Sequence, residues 1–515
     1  MPFTNPVIPG FHPDPSVCRV GQNYYLVTSS FEYFPGVPVF HSRDLVHWRQ
    51  IGHVLTRDSQ LPLEGCRPSG GIYAPTIRHH DGVFYMITTN VTGGGNFLVT
   101  ATDPAGPWSE PVWLDVGGID PSLFFDDDGQ CYLQGNAPAD GKTGITMALI
   151  DPRDGRLLRG PEHVWAGTGG RYPEAPHLYK IGGKYHLMIA EGGTEYGHMV
   201  TVARADTPWG PFESCPHNPI LSHRNHGHSQ IQGTGHGDLV QAHDGSWWIV
   251  FLAFRQVQPM FHNLGRETFL APVEWVDGWP LINGGRPITE TMDTPTLPAA
   301  PVPAPPARDD FSAPALSPVW NHLRNPNRED YSLSARPGWL RLAGSEHTLD
   351  SLASPTFVGR RQQHHCCEAS TLLRFEPTQE GEEAGLTVFY DATHHYDLAV
   401  TMQDGEKKIV FNKVVGDISI VDNAIPYNGG AVVLTVRADR ERYAFSFSAD
   451  GITLQAGAGS TVFLTSEACG VSFTGVYIGL YATGNGERCD APAFFDWFDY
   501  KPTDSTSLDT LKEGI

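Results

Sequence analysis

Apolar and polar residues alternate with a period of two through most of this chain, in short runs broken by Gly, Asp, Asn and Pro. That pattern predicts β-strands with one buried face. Five runs share one design: GQNYYLVTSS, DGVFYMITTN, DGQCYLQGN, GGKYHLMIAE and DGSWWIVFLA. Each sets a Gly-containing turn ahead of aromatic and β-branched residues, the mark of a hairpin. The anchoring aromatics are Tyr25, Tyr85, Tyr132, Tyr185 and Trp248, spaced by 60, 47, 53 and 63 residues. The strand before each turn also repeats. It opens with Asp14-Pro-Ser-Val, Ala74-Pro-Thr-Ile, Asp120-Pro-Ser-Leu, Glu174-Ala-Pro-His and Gly237-Asp-Leu-Val. Each lead residue stands 11 positions before its aromatic, or 12 for Asp120, whose turn is one residue longer. A Pro/Gly/Trp corner recurs in HSRDLVHW, TATDPAGPW and ARADTPWGPF.

Five units of about four short strands predict a five-bladed β-propeller over residues 1–294. Residues 295–308 form a Pro-rich linker, with six prolines between 295 and 306. Pro density of this kind makes an extended, semi-rigid spacer. Strand-like alternation resumes in GWLRLAG, CEASTLLRF, AGLTVFYD, AVVLTVRAD, RYAFSFSAD, VYIGLYATG and AFFDWFDY. Residues 309–515 are therefore expected to form a β-sandwich, and the whole chain to be all-β.

Composition narrows the function. The chain has 515 residues and a formal charge of −22, which disfavours nucleic acid and anionic membranes as partners. No run approaches the roughly 20 apolar residues of a membrane span. The N-terminus MPFTNPVIPG lacks the basic and apolar regions of a signal peptide, so a cytoplasmic location is expected. The 8 Cys are scattered apart from Cys366–Cys367, which fits reduced thiols better than a zinc ribbon or a disulfide framework. Aromatics reach 11%, which suits β packing and sugar-stacking surfaces.

The five lead positions are equivalent in a propeller and point to one central end. Three are acids, Asp14, Asp120 and Glu174, while Ala74 and Gly237 leave room. Carboxylates gathered in one pocket repel, so at least one pKa must rise. Prolines on both sides of Asp14, in HPDPS, are expected to hold it in extended backbone.

The motifs HPDPS, GGIYAP, GIDPS, PEAPHLY, AEGGT and LGRET, in this order, strongly resemble glycoside hydrolase family 43. The likeness is to its β-xylosidase and α-L-arabinofuranosidase members that carry a C-terminal β-sandwich of the concanavalin-like kind. It implies an exo-acting enzyme that inverts anomeric configuration. It would release xylose from non-reducing ends of xylo-oligosaccharides, terminal α-L-arabinofuranosyl residues, or both. Asp14 would be the general base that activates water, Glu174 the general acid, and Asp120 the residue that tunes and holds that acid. Arg266 in LGRET would face sugar hydroxyls and a catalytic carboxylate. Phe31 and Tyr73 would be pocket-wall aromatics, Tyr73 standing where related xylosidases often have Trp. Glu191 would lie near the leaving-group side, and Phe473 in SFTGVYIGLYATGNG would close the pocket mouth. The resemblance requires no cofactor and allows a calcium ion at His236 in GTGHGDL, and it allows a homo-oligomer.

Six histidines between 217 and 243 read as a polar rim rather than a transition-metal site. Two other functions stay open at this point. One is an endo-acting arabinanase. The other is a non-catalytic carbohydrate-binding propeller, which would repeat one site in every blade, whereas these lead positions differ.

Overall fold

The computed structural model describes residues 2–139, 141–293, 296–470 and 472–504. Strand dominates, and helix among these residues is limited to short 3-10 turns. None is long and apolar enough to cross a membrane. The chain forms two compact units. The first takes the described residues up to Pro62, Gly70–Arg255 and Arg266–Val302. The second takes Leu63–Ser69, Gln256–Gly265 and the described residues from Pro303 onward.

Five antiparallel meanders follow one another through the first unit. Their opening strands are Ser16–Val20, Thr76–His80, Ile119–Phe125, Glu174–Ile181 and Ile231–Gln241. Each opening strand pairs with the next strand of its own sheet across the hairpin read from the sequence. The opening strands also lie against one another: first on second, second on third, third on fourth, fourth on fifth, and fifth back on first. The ring of sheets is closed, and Pro2–Thr4 pairs with Thr291–Asp293 beside the closure. Strands packed on both faces read as continuous apolar runs; Trp247–Arg255 is buried along all but its ends. The corner tryptophans brace the turns between third and fourth strands. Trp48 Nε1 donates to Leu45 O at 2.7 Å, and Trp108 Nε1 to Pro104 O at 3.2 Å.

The second unit has an eight-stranded and a six-stranded antiparallel sheet. Leu340, Phe445 and Phe498 of the larger sheet share one core with Leu386, Leu398 and Ile478 of the smaller. Two segments of the N-terminal part belong to this unit, where the sequence led us to expect a clean boundary in the Pro-rich stretch. Specific bonds hold them: Asn263 Nδ2 donates to Tyr443 Oη at 2.7 Å, and Arg324 Nε to Cys66 O at 2.7 Å. Polar bonds of this type leave no periodic signature in a sequence.

At the axis of the ring lies Asp238, fully buried, on the fifth opening strand. It accepts from Ser16 Oγ at 2.7 Å and Val17 N at 3.0 Å on the first sheet. It also accepts from Arg78 Nη1 at 2.8 Å on the second and Tyr179 Oη at 2.6 Å on the fourth. The third sheet joins through Ser122 Oγ, which donates to Pro176 O. Burial works against the Asp238 charge, but Arg78 overrides it and holds the carboxyl far below its usual range. Asp238→Ala would leave Arg78 buried without its counter-ion. We expect a loss of about 3–5 kcal/mol from the first unit, read as a lower denaturant midpoint. Glu110→Ala, on the exposed Arg57–Glu110 pair, should leave that midpoint unchanged.

Candidate active site

The opening strands carry the acids into one cluster, and a backbone irregularity aims them. Cys18 pairs with Tyr25, Arg78 with Tyr85, Phe124 with Tyr132, Tyr179 with His186 and Val240 with Trp248. Four residues back from these lie Asp14, Ala74, Asp120, Ala175 and His236. The equivalent residue of the fourth sheet is therefore Ala175, and of the fifth His236, not Glu174 and Gly237 as the aromatic spacing predicts. The hairpin anchor of the fourth sheet is His186, one residue past Tyr185. Glu174 sits one step upstream of the ring position. The proline that follows Asp14, Ala74, Asp120 and Ala175 marks the correct frame in the sequence itself.

Four of these five residues have left-handed backbone: Asp14 at φ 56°, Asp120 at 54°, Ala175 at 53° and His236 at 47°. The expected extended backbone at Asp14 is not found. A residue before proline ordinarily avoids helical backbone, so the surroundings must impose this conformation. Pairing registers slip beside three of these residues, between Ile119 and Ser122, Glu174 and His177, and Gly235 and Asp238. Such bulges re-aim side chains at the ends of strands.

Asp14 is almost fully buried. Its Oδ1 accepts from Arg266 Nη1 at 2.8 Å, and Ser29 Oγ donates to Oδ2 at 2.5 Å. His236 Nδ1 lies 3.5 Å from Oδ1. Burial alone would raise the Asp14 pKa, but Arg266, then His236 and Ser29, bring it below the ordinary value. Glu174 goes the other way. Burial, reinforced by the Asp14 charge and only partly opposed by Arg266, pushes it up to about 7. Asp120 is raised well above the usual range by burial, then by Glu174 and Asp14. One guanidinium among three carboxyls thus holds Asp14 below the ordinary range and leaves the other two raised above it.

The remaining predicted residues fall in different places. Arg266 Nη1 also donates to Thr194 Oγ1 at 2.9 Å, so the AEGGT loop steadies it. The Phe31 ring lies 5.3 Å from Tyr73 and 5.7 Å from Phe11, with the Arg266 guanidinium 5.8 Å from its centroid. Phe31 is buried, and Tyr73 keeps the exposed ring surface of the two. Glu191 is not free for substrate. Its carboxylate accepts from Thr168 N, Gly170 N and Thr201 Oγ1 and clamps the 167–170 turn. Glu195 is ion-paired to Arg171 at the surface. Phe473 belongs to the second unit, where its N–H donates to Ser69 Oγ at 2.9 Å. Sequence reasoning missed Ser29 and Thr194. The signal for Ser29 is positional, since Val27 pairs with Ser16 and Ser29 thereby falls opposite Asp14.

Calcium takes oxygen ligands. His236 offers ring nitrogens, and the one carboxylate oxygen beside it, on Asp14, is already held by Arg266. His198, the other imidazole near Asp14, donates from Nδ1 to Gly233 O at 3.2 Å. These residues do not build a calcium cage. Among the described residues the side chains grouped closely enough to grip a metal are Asp391, His394 and Cys469, in the second unit.

Asp14 held below the ordinary carboxylate range, with Glu174 and Asp120 held above it beside one arginine, is an arrangement that can supply a base and an acid at one place. Comparison with known proteins gives the same answer. The family model for glycosyl hydrolases family 43 matches residues 3–280, and that for the β-xylosidase C-terminal concanavalin A-like domain matches 308–501. A non-reducing end α-L-arabinofuranosidase of Bacteroides ovatus is 45% identical over 98% of this chain and 95% of its own. A xylosidase/arabinosidase of Butyrivibrio fibrisolvens is 40% identical over 96% of this chain and 98% of its own. The crystal structure of a xylan β-1,4-xylosidase from Bacillus halodurans is 38% identical, with a TM-score of 0.92, over 97% of this chain and all of its own. The chain belongs to glycoside hydrolase family 43, with that family's β-sandwich as its second unit.

The raised Glu174 pKa has a stability consequence. Between its ordinary 4.5 and about 7 the unfolded chain gives up the proton while the folded one keeps it, so folding loses ground as pH rises through that window. Glu174→Gln removes the group. Its denaturant midpoint should match the parent's at pH 4 and exceed it at pH 8, and an equal offset at both would contradict the assignment.

Proposed function

We propose that this chain is an exo-acting, inverting glycosidase on non-reducing-end β-xylosyl or α-L-arabinofuranosyl groups of short oligosaccharides. The closed ring of five sheets is read as a five-bladed propeller with the carboxyl cluster at the end of its axis. The observation that carries the proposal is the split between Asp14 and Glu174. The first is held ionised by Arg266, and the second is held protonated by burial and by the Asp14 charge. The α-L-arabinofuranosidase and xylosidase/arabinosidase relatives support this choice of sugars.

In the reaction so read, Asp14 takes a proton from a water as its oxygen attacks the anomeric carbon. The glycosidic C–O bond breaks on the opposite face, and Glu174 gives its proton to the departing oxygen. Inversion requires the water to fit between base and sugar, which places the carboxyls roughly 6.5–9.5 Å apart. Residues on different sheets of a ring suit such a gap. Asp120 accepts the Ala175 N–H next to Glu174, which holds the acid in place. Arg266 is a positioning residue for the base, steadied in turn by Thr194.

Proton NMR during hydrolysis of a nitrophenyl xyloside or arabinofuranoside should show the first sugar released with inverted configuration; retention would overturn the mechanism. Glu174→Ala should slow natural oligosaccharides by roughly 10²–10⁴-fold while sparing activated aryl glycosides, which need little protonation. Asp14→Ala should slow both alike. Equal losses for Glu174→Ala on both substrates would remove Glu174 from the acid role.

A further inference from the structure

The second unit contains a polar cluster that the chemistry above does not use. It lies on the face of the six-stranded sheet turned away from the shared core. Thr387, Asp397 and Asn412 stand side by side on three neighbouring strands. His395, two residues from Asp397 and so on the same face, bonds through Nδ1 to Asp397 Oδ2 at 2.8 Å. Tyr481 Oη donates to Glu383 Oε1 at 2.7 Å. His395 is 2% exposed and Asp397 4%. Three atoms here have no partner: His395 Nε2, Asp397 Oδ1 and Asn412 Oδ1. Each unpaired buried group of this kind costs about 1–3 kcal/mol. Four neighbours doing so on one sheet face, with Thr387 Oγ1 the fourth, is a concentration that asks for a ligand.

A cavity of about 240 Å³ opens against the same residues, with Leu349 and Val414 as its apolar walls. That is smaller than the roughly 300–1,000 Å³ of pockets for drug-sized molecules, so it suits a single ring. The unpaired atoms are mainly acceptors, which calls for several donors on the occupant. Asp397 engages His395 Nδ1, so Nε2 is the ring atom left for the occupant. A hydroxyl can donate to Asp397 and Asn412 and can also accept, whereas an ammonium donates only. His395 and Asp397 are not in the grouping that fits a metal.

We infer that this pocket of the second unit binds one neutral sugar ring, with adjacent hydroxyls on Asp397, Asn412 and His395 and its C–H face on Leu349 and Val414. It is a binding site and needs no turnover. The choice of pentoses as first probes rests on the proposed substrates, while the site itself does not.

The test is methyl NMR on the full chain with ¹³C-labelled Leu and Val. D-Xylose, L-arabinose, D-galactose and D-glucose are titrated at concentrations on the order of 1–100 mM. The Leu349 and Val414 methyls should shift saturably with at least one sugar. The shift should persist in Asp14→Asn, which disables the hydrolytic site, and weaken about tenfold or more in Asp397→Ala. Asn412→Ala is the second variant should Asp397→Ala fail to fold, and it should keep parental turnover of nitrophenyl glycosides. Silent methyls with all four sugars would overturn the proposal. So would shifts unchanged in both pocket variants, or an equal response to methylammonium chloride. Either result leaves the anomer and turnover measurements untouched, so failure here is separable from failure of the hydrolytic reading.

Discussion

Closing five sheets into a ring brings five strand ends into one narrow space in which every buried polar group must find a partner. Asp238 answers that constraint. A carboxylate buried at such an axis is tolerable only if fully paired. Its partners come from the first, second and fourth sheets, Ser16, Arg78 and Tyr179. The compensation for one charge therefore fixes the mutual register of most of the ring. Ser16 lies two residues from Asp14, and Asp238 two from His236. The pairing below the site is thus coupled directly to the residues in it. An apolar plug could fill the same volume but would not set rotational order among five similar sheets.

Above that hub, the site works through scarcity of positive charge. Three carboxyls share one guanidinium, and Arg266 bonds directly to Asp14. That single choice divides the roles. The paired acid is held low, and for the other two burial and repulsion outweigh the more distant pull of Arg266. A second arginine would erase the difference. The same reasoning explains why His198 and His236 are pushed below the ordinary imidazole range near Asp14. Burial lowers both, His198 to about 3, and Arg266 opposes their charging as well.

Much of this was legible in the sequence because hairpins carry strong local signals. The five Gly turns, the aromatics behind them and the acids before them follow from residues close in the chain. The errors came where geometry is not periodic. A five-residue hairpin turn in the fifth sheet, and an anchor at His186 rather than Tyr185 in the fourth, shift the frame by one. Counting from Tyr185 therefore puts Glu174 where Ala175 stands. The proline frame is the better ruler, because a proline directly follows the ring residue in four of the five sheets. Asp14 was expected in extended backbone on local grounds, and a left-handed turn held by the surrounding ring overrides that preference. Glu191 was misread because a glutamate that clamps a loop and one that meets a substrate look alike in a string of letters. Asp238 with Arg78, and Asn263 with Tyr443, join residues more than a hundred positions apart, beyond any motif.

Glu383 shows what the hydrolytic site has that a merely buried acid lacks. Burial lifts Glu383 to about 7, the same height as Glu174. Height alone confers no chemistry. Glu383 is bonded to Tyr481, and the carboxylate nearest it, Asp397, is engaged with His395 rather than with an arginine. Arg266 holds Asp14 low on one sheet of the ring while Glu174 is raised on another. The acid role proposed for Glu174 therefore rests on the pair and the frame that spaces it. The pKa of either member is a consequence of that frame, set by where Arg266 was placed.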